Sequence, residues 1–236
     1  MLRSILFDLD GTLLMHDIEQ FLPKYLGLIT RQLGGRFPDC DLVSLIMKST
    51  MFMMQNNGTR TNEEAFWADF LPRIDRPREE LEPLFIEFYE RDFPSLGAGI
   101  EREPEAAALI AACRSRGLRV ALATNPIFPR MAIDERLRWA GIDPGHFDLV
   151  TSYEWMRFSK PHPGYYRQVA DELAIAPAEC LMVGNDIGQD LVPAAAAGMR
   201  TCLLDNAFQV AANGPKEFTP DYTCKLSEVA DLAEGL

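Results

Sequence analysis

Two aspartates follow the first apolar run of the chain at a spacing that suits chemistry. Asp8 and Asp10 come directly after residues 4–7, a run typical of a short buried strand. Alternation along an extended segment predicts that both carboxylates point to one side of the chain. Crowded carboxylates repel each other unless a cation lies among them, and oxygen-only ligands suit Mg²⁺. A carboxylate beside Mg²⁺ can act as a nucleophile, and a second carboxyl can protonate a leaving oxygen and later deprotonate water.

The later apolar runs also end in polar residues. In chain order, the segments that follow them are Thr124-Asn125-Pro126, Ser159-Lys160-Pro161-His162-Pro163 and Gly184-Asn185-Asp186-Ile187-Gly188-Gln189-Asp190. In an open parallel sheet, ligands gather outside the carboxyl ends of the strands. The Thr124 hydroxyl and the Lys160 amine would supply a hydrogen bond and a positive charge to a transferring phosphoryl group. Together with the two acids, this set of groups predicts phosphoryl transfer.

Short apolar runs alternate with helical patterns along most of the chain. The predicted strands are residues 4–7, 118–123, 147–150, 180–183 and 201–204. The predicted helices between them are residues 104–116, 129–140, 163–173 and 191–197, several with Pro in the first turn and Gly just past the end. This alternation predicts an α/β fold with a Rossmann-like parallel sheet that is covered on both faces.

One segment, from about Met15 to Asp92, has helical patterns and no convincing strand. The patterns cover residues 17–33, 39–55 and 78–91, and Thr61-Asn62-Glu63-Glu64 is typical of a capping box at the start of another helix. A helical block inserted after the first strand predicts a second, smaller domain. We therefore expect an α/β core of residues 1–14 and 93–236 and a helical cap of residues 15–92, with crossings near residues 13–17 and 93–100.

Charge and composition exclude several classes of protein. The 236 residues include 23 Lys and Arg against 35 Asp and Glu, a formal net charge of −12. Nucleic acid and anionic membrane both favour clustered basic residues, so we expect neither as a partner. The first residues reach Asp8 before any signal-peptide stretch forms, and no apolar run is long enough to span a membrane. The five cysteines are scattered with no C-x-x-C pair, which predicts reduced thiols in a cytoplasmic protein.

Four motifs, in order and each at the end of a predicted strand, resemble the haloacid dehalogenase (HAD) superfamily of phosphohydrolases. They are Asp8-Leu9-Asp10-Gly11-Thr12, Ala123-Thr124-Asn125, Ser159-Lys160-Pro161-His162-Pro163 and Gly184-Asn185-Asp186 with Asp190. The helical segment resembles the cap that one branch of the family, phosphoglycolate phosphatase-like, inserts between the first two motifs. The resemblance implies a HAD fold and an Mg²⁺-dependent phosphatase that acts on a small phosphorylated metabolite through an aspartyl phosphate.

The resemblance also implies a role for each matching residue. Asp8 would attack phosphorus, and Asp10 would be the general acid and base. Thr124 and Lys160 would bind the phosphoryl group, with Asn125 beside it. Asp10 favours phosphatases or phosphomutases over dehalogenases, in which this position is not acidic.

The metal ligands implied by the resemblance are the Asp8 carboxylate, the Asp10 backbone carbonyl and an acid of the last motif. Many relatives have Gly-Asp where this chain has Gly184-Asn185. The third ligand is therefore either Asp186 or the amide oxygen of Asn185. We expect Asp186 to bind Mg²⁺, with Asn185 and Asp190 beside the ligands.

Other functions stay open at this point. A phosphomutase would use the same aspartyl phosphate, a response-regulator receiver has an Asp, a Thr and a Lys at strand ends, and a non-catalytic binding module could share the fold. The length, the helical insertion and the paired acids on the first strand argue against a receiver, and no motif residue is lost. Taken singly, the two aspartates are also typical of a solvated turn, Lys160 of an exposed lysine and Thr124 of a helix cap.

No motif indicates the substrate or the oligomeric state, and the chain is expected to be a monomer or a homodimer. His16 lies where core and cap meet, which fits either substrate contact or a structural role. An apolar cluster fits either a specificity pocket or the core of the cap; it consists of Met47, Met51, Phe52, Met53 and Met54. Several arginines fit either a second anionic group of the substrate or a solvated surface: Arg31, Arg36, Arg60, Arg73, Arg76 and Arg78.

Overall fold

Six parallel strands form one sheet in the computed structural model, which describes residues 1–16, 18–210, 215 and 217–236. The strands are β1 (Ser4–Phe7), β2 (Arg119–Leu122), β3 (Leu149–Val150), β4 (Cys180–Gly184), β5 (Arg200–Leu204) and β6 (Tyr222–Cys224). Their order across the sheet is β3-β2-β1-β4-β5-β6. β1 therefore lies between β2 and β4, and all four of its residues are buried.

The helices form two groups along the chain. Inserted between β1 and β2 are α1 (Ile18–Leu33), α2 (Leu42–Met54), α3 (Asn62–Ile74) and α4 (Arg78–Arg91). Between and after the later strands lie α5 (Ala106–Ser115), α6 (Arg130–Trp139), α7 (Pro163–Leu173), α8 (Val192–Ala196) and α9 (Val229–Glu234). Because α5 lies between the insertion and β2, the insertion interrupts a regular alternation of strands and helices.

The predicted α/β parallel sheet is confirmed, and every predicted strand is present with its ends shifted by at most two residues. The sequence pattern does not predict β6, because Tyr222-Thr223-Cys224 contains no apolar run and lies partly exposed at the edge of the sheet. The helix predicted at residues 191–197 is shorter, since a π-helical turn occupies Ile187–Leu191. That turn carries part of the last motif.

The inserted helices lie where the sequence predicts them. The predicted capping box is present at α3, where the Thr61 hydroxyl accepts from the Glu64 N–H and the Glu64 carboxylate accepts from the Thr61 N–H. Buried apolar residues of the insertion and of the sheet side form one continuous cluster. In that cluster Phe93 stacks on Trp139 of α6 with the ring centroids 5.2 Å apart. The division into a core domain and a cap domain stays a prediction.

The second crossing is packed against the core. Residues Phe93–Gly97 form a short 3₁₀ helix. A Cβ atom at Gly97 would lie 2.4 Å from the indole nitrogen of Trp139, so this close approach requires glycine. Asp17, where the first crossing and the first cap helix were expected to meet, lies outside the described residues.

Asn62, the first residue of α3, connects the insertion to two loops at the carboxyl end of the sheet. It is fully buried, and its Nδ2 lies 3.1 Å from Ser159 Oγ and 3.3 Å from the carbonyl oxygens of Pro126 and Phe158. Its backbone N–H donates to the Met156 carbonyl at 2.7 Å. One amide side chain thus bonds the loops that follow β2 and β3, and these loops carry the second and third motifs.

The cysteines are unpaired, as the sequence predicts. Cys113, Cys180 and Cys202 are buried, and Cys40 and Cys224 are partly buried. The sulfur atoms of Cys202 and Cys224 lie 3.3 Å apart, which is well beyond a disulfide bond of about 2.0 Å. Within the described parts of the chain, no helix combines the length and the apolar character that crossing a membrane requires.

Asn62→Ala is expected to lower the free energy of unfolding by about 2 kcal/mol, because buried carbonyl groups lose their donor. Urea denaturation measures this change. Asn57→Ala is the matched control: Asn57 is exposed and its side-chain oxygen bonds Thr59 within its own turn, so we expect a change within about 0.5 kcal/mol. Equal losses in the two variants would contradict the anchoring role of Asn62.

Candidate active site

The carboxyl end of β1 holds both predicted acids. Asp8 extends the strand by one step, because its N–H donates to the Val183 carbonyl of β4 at 3.0 Å. The chain then turns through Gly11, whose φ of +73° lies in the left-handed region. A Cβ atom there would lie 2.5 Å from Asn185 Nδ2, so both the conformation and the packing require glycine. This turn places Asp10 beside the cavity described below.

Lys160 lies between two carboxylates. Its Nζ donates to Asp8 Oδ1 at 2.7 Å and to Asp190 Oδ1 at 2.6 Å, and its side chain is 2% exposed. The Lys160 N–H donates to Asn125 Oδ1 at 3.2 Å, which fixes the loop that carries it. Lys160 is therefore not an exposed surface lysine, and its charge is compensated inside the protein.

Thr124 and Asn125 follow β2 and lie in fixed backbone positions. Thr124 is buried, and its carbonyl oxygen accepts from Thr151 Oγ1 and from the Tyr165 hydroxyl, each at 2.8 Å. Asn125 in turn bonds the backbone of Lys160. The second and third motifs are thus joined directly, so that their side chains share one site.

The loop after β4 supplies the remaining acids. Asp186 Oδ1 accepts from the N–H groups of Gly188 and Gln189 at 2.8 and 2.9 Å. Asp190 Oδ2 accepts from the Asp186 N–H at 3.1 Å, while its Oδ1 bonds Lys160. Asp190 therefore orients both the lysine and the loop that carries Asp186.

Asn185 connects two loops through its amide. Its Oδ1 accepts from Thr12 Oγ1 at 3.1 Å, and its Nδ2 donates to the Phe208 carbonyl at 2.7 Å. The first bond joins it to the turn after β1 and the second to the segment after β5. Both polar atoms of the Asn185 amide are thus bonded within the protein. This favours Asp186 over Asn185 as the predicted third metal ligand.

Asp10 has a different environment from Asp8. Its Oδ1 lies 2.5 Å from His16 Nε2 and also accepts from Nη2 of Arg136, a residue of α6. The Arg136 side chain is 1% exposed, and its guanidinium lies over the rings of Phe21 and Phe128. Asp10 is thus held by one group from the segment before α1 and by another from the core.

The two aspartates have opposite pKa shifts. Burial raises the pKa of Asp8 to about 7; the Lys160 charge acts against this, and the charges of Asp190 and Asp10 add to it. Burial also acts to raise the pKa of Asp10, but the Arg136 charge and the His16 hydrogen bond outweigh it and lower that pKa to about 2. Burial acts to lower the pKa of Lys160, yet the two carboxylates beside it raise the value well above normal, so that it stays charged.

A single cavity of about 270 Å³ brings all of the predicted site residues together at the carboxyl end of the sheet. They are Asp8, Asp10, Thr124, Asn125, Lys160, Asn185, Asp186 and Asp190. Much of the remaining wall is apolar and consists of Ile18, Met54, Ile127, Phe128 and Val210. Gln189 and Arg136 complete the lining.

The donors at the acidic end of this cavity fit Mg²⁺. Among the residues that the structure describes, no three His, Cys, Asp or Glu side chains converge as a metal site, but the predicted set is two carboxylates and one backbone carbonyl. Asp8 and Asp186 each use one oxygen in the hydrogen bonds above, which leaves the other available. Burial raises the pKa of both groups, and a divalent cation would stabilise their ionised forms. Asp8, Asp186 and the Asp10 carbonyl are therefore suitable residues to hold Mg²⁺.

The sequence motifs do not predict that Arg136 lines the cavity. The available signal was its spacing, because it falls on the apolar face of α6 with Ile133 and Leu137. His16 contacts Asp10. Of the apolar cluster, Met53 is fully buried, Met51 and Phe52 are exposed, and Met54 is exposed and also lines the cavity. None of the six cap arginines considered above lines the cavity.

The sequence profile of the haloacid dehalogenase-like hydrolases matches residues 2–198. The chain belongs to this family. The matched residues include the four motifs up to Asp190, so the HAD resemblance predicted from those motifs is confirmed. The structure places the same motifs around one cavity of this HAD hydrolase.

Two named relatives of this HAD hydrolase are phosphatases. The phosphoserine phosphatase of Thermus thermophilus is 34% identical over 162 residues, which are 69% of this chain and 59% of that protein. The chain thus spans less than two thirds of that relative. The phosphoglycolate phosphatase of Rhodospirillum rubrum is 29% identical over 208 residues, which are 87% of this chain and 80% of that protein.

A solved structure with the same fold is the 2-haloacid dehalogenase of Pseudomonas syringae. It has a TM-score of 0.65 and 16% sequence identity, with 100% of both chains covered. This likeness confirms the predicted HAD fold class. At this identity it shows the fold alone.

Asp8→Asn is expected to stabilise the metal-free protein near pH 8. The pKa of Asp8 in the fold, about 7, is higher than the value of about 3.9 for an unfolded aspartate. The folded state therefore binds this proton more tightly, and stability is lost as the pH rises through that interval. The neutral amide removes this loss, so urea denaturation in EDTA should give a free energy of unfolding about 1–2 kcal/mol higher near pH 8 and little change near pH 4.

The matched control is Asp190→Asn, which removes the carboxylate that bonds both Lys160 and the Asp186 N–H. We expect it to lower the free energy of unfolding by about 2 kcal/mol or more, because it weakens a buried ion pair. A destabilising effect of Asp8→Asn near pH 8 would contradict the buried-charge interpretation of Asp8.

Proposed function

We propose that this HAD hydrolase is an Mg²⁺-dependent phosphatase that hydrolyses small phosphate monoesters through an aspartyl phosphate on Asp8. One observation carries the proposal: a buried carboxylate and a buried ammonium, Asp8 Oδ1 and Lys160 Nζ, lie 2.7 Å apart at the end of the central strand. Asp10, Thr124 and Asn125 line the same cavity. This set provides a nucleophile, an acid and base, and donors for phosphoryl oxygens.

In the first step, a carboxylate oxygen of Asp8 attacks phosphorus. The new Asp8 oxygen–phosphorus bond forms while the ester P–O bond breaks. Asp10 gives its proton to the leaving oxygen, so the alcohol departs neutral. Lys160, Thr124 and Asn125 bind the other phosphoryl oxygens, and Mg²⁺ held by Asp8, Asp186 and the Asp10 carbonyl would supply compensating positive charge.

In the second step, water attacks the phosphorus atom of the aspartyl phosphate. The Asp10 carboxylate accepts the proton from water, the bond to Asp8 breaks, and inorganic phosphate leaves. The contacts from Arg136 and His16 favour the carboxylate form of Asp10 that this step needs. One residue therefore serves as acid and then as base.

Asp10 also supports phosphate ester hydrolysis over dehalogenation. Breaking a carbon–halogen bond releases a halide ion, and no proton has to reach the leaving group. A phosphate ester releases an alkoxide unless an acid protonates it. The carboxyl group of Asp10 is therefore useful in phosphate ester hydrolysis and has no such use in dehalogenation.

The cavity walls favour an ester whose alcohol part is small and uncharged. Among the described lining residues, the cations are Lys160 and Arg136, and each is already bonded to a carboxylate. The rest of the wall is largely apolar. We therefore propose a monoester without a second anionic group, whereas the names of the two relatives refer to esters that carry a carboxylate.

The remaining parts of this proposal concern location and partner. Unpaired thiols are typical of a reducing compartment, which supports a cytoplasmic location. The formal charge of −12 disfavours large polyanions as partners. A small phosphorylated metabolite that reaches a metal in the cavity is compatible with this charge.

Activity is tested by release of inorganic phosphate from p-nitrophenyl phosphate with Mg²⁺. Asp8→Asn should lower kcat by about 10³-fold or more and Asp10→Asn by about 10²-fold or more, because the nucleophile and the acid are lost. EDTA should abolish turnover, and added Mg²⁺ should restore it. The exposed Asp75→Asn is the matched control and should leave kcat unchanged. Near-wild-type turnover by Asp8→Asn would refute the nucleophile, and return of the group to substrate without phosphate release would indicate a phosphomutase.

The preference for an uncharged alcohol is tested with a panel of phosphate monoesters. We expect kcat/KM for propyl phosphate to exceed that for phosphoglycolate by about 10-fold or more, because the described cavity wall offers no uncommitted cation for a carboxylate. Met54→Lys, which adds a cation to the wall, should narrow this ratio. A higher kcat/KM for phosphoglycolate in the wild-type protein would contradict the proposed substrate class.

A further inference from the structure

Arg136 is a buried cation that belongs to none of the motifs. It lies on the core-facing side of α6 with Ile133 and Leu137, and its side chain is 1% exposed. Burying a guanidinium is costly unless the group is paired with an anion and oriented by its surroundings. The partners of Arg136 therefore indicate the role of this side chain.

Those partners are the Asp10 carboxylate and two aromatic rings. Arg136 Nη2 donates to Asp10 Oδ1. Its Cζ lies 5.4 Å from the ring centroid of Phe21 and 5.3 Å from that of Phe128. Aromatic faces attract a guanidinium and restrict its orientation, so the donor reaches Asp10 from a fixed direction.

Both contacts to Asp10 fall on the same oxygen. His16 Nε2 lies 2.5 Å from Oδ1, the atom that Arg136 also binds. Oδ2 accepts no hydrogen bond from the described residues, and Asp10 lines the cavity. A carboxyl at the start of a turn would otherwise rotate freely about its side-chain bonds, and here one oxygen is fixed while the other stays available.

We propose that Arg136 is a positioning residue for the proton transfers of Asp10: it holds Oδ1, so that Oδ2 exchanges the proton with the leaving oxygen and then with water. In the first transfer the Oδ2 proton moves to the bridging oxygen as the P–O bond breaks, which leaves the carboxylate. In the second transfer Oδ2 takes a proton from the attacking water as the bond to Asp8 breaks. This inference rests on the proposed phosphatase function.

A competing role for Arg136 is direct recognition of an anionic group on the substrate. Arg136 lines the cavity, and its Nε has no hydrogen-bond partner among the described residues. The geometry favours the positioning role, because the guanidinium is already bonded to Asp10 and enclosed by Phe21 and Phe128. The two roles predict different kinetic effects, which the test below separates.

The test measures kcat/KM for p-nitrophenyl phosphate, phenyl phosphate and propyl phosphate, whose alcohols leave with increasing difficulty. A poor leaving group needs the acid and a good one does not. We expect Arg136→Met to lower kcat/KM less than about 3-fold for the nitrophenyl ester and about 100-fold for propyl phosphate. Arg136→Lys keeps the charge and should recover part of the loss on propyl phosphate. In an Asp10→Asn background, Arg136→Met should add no further loss on any ester.

Equal losses on all three esters would overturn the inference, since they would indicate a structural role. A further loss in the Asp10→Asn background would overturn it too. A loss confined to phosphoglycolate, assayed alongside, would assign Arg136 to substrate binding and equally refute the positioning role. If Arg136→Met does not fold, the comparison of Arg136→Lys with wild type across the three esters decides the same question.

A second measurement does not depend on turnover. The urea midpoints of Arg136→Met, Asp10→Asn and the double variant form a cycle. The double variant should lie closer to wild type than Arg136→Met alone, because removing both charges leaves neither one unpaired. Additive shifts would overturn the Arg136–Asp10 contact itself. An inactive wild type with a coupled cycle would instead refute the phosphatase proposal and leave the contact intact.

Discussion

One buried ammonium holds the acidic end of the cavity together. Lys160 Nζ bonds Asp8 and Asp190, and all three side chains are nearly inaccessible to solvent. A buried ammonium needs an anionic partner, and Lys160 has two carboxylates for its single charge, so only the loss of both would leave it uncompensated. Asp190 also bonds the backbone of Asp186, and the Lys160 backbone bonds Asn125. This one cation therefore sets the relative positions of the chain segments that follow β1, β2, β3 and β4.

A second buried cation gives the neighbouring carboxylate the opposite environment. Asp8 shares its ammonium with Asp190, so burial dominates and its pKa is raised to about 7. Asp10 shares the Arg136 guanidinium with no other described carboxylate and also bonds His16, so its pKa is lowered to about 2. The contacts of Asp10 favour the carboxylate that would accept a proton from water, whereas Asp8 needs a further positive charge beside it, such as a divalent cation, to favour its ionised form. The pKa values of Asp8 and Asp10 differ because one shares its cation with a second carboxylate and the other does not.

The sheet and most of the site follow from local sequence patterns, while the contacts between distant segments do not. Apolar runs that stop at polar residues mark the ends of parallel strands, and that rule brings Asp8 and Thr124 together. Lys160 lies ten residues after β3 and reaches them through a loop whose backbone bonds Asn125. β6 is missed because a short edge strand needs no apolar run. Arg136 and Asn62 are missed for another reason. Each lies on a helix, at a position whose partner is far away along the chain, and only the packing of that helix shows which polar group it meets.

The effect of the formal charge of −12 on a phosphate ester depends on the charges that line the cavity. A strongly acidic protein repels a phosphate ester at a distance, and the two described cations of the cavity are neutralised by carboxylates. In the proposed function, a divalent cation held by Asp8 and Asp186 would add the positive charge that attracts the phosphate. The rest of the ester meets a largely apolar wall that includes Ile127 and Phe128, where burial of carbon is favourable and a further charge is not. Selectivity among phosphate esters would thus depend on the size and polarity of the alcohol part, because the phosphate is common to all of them.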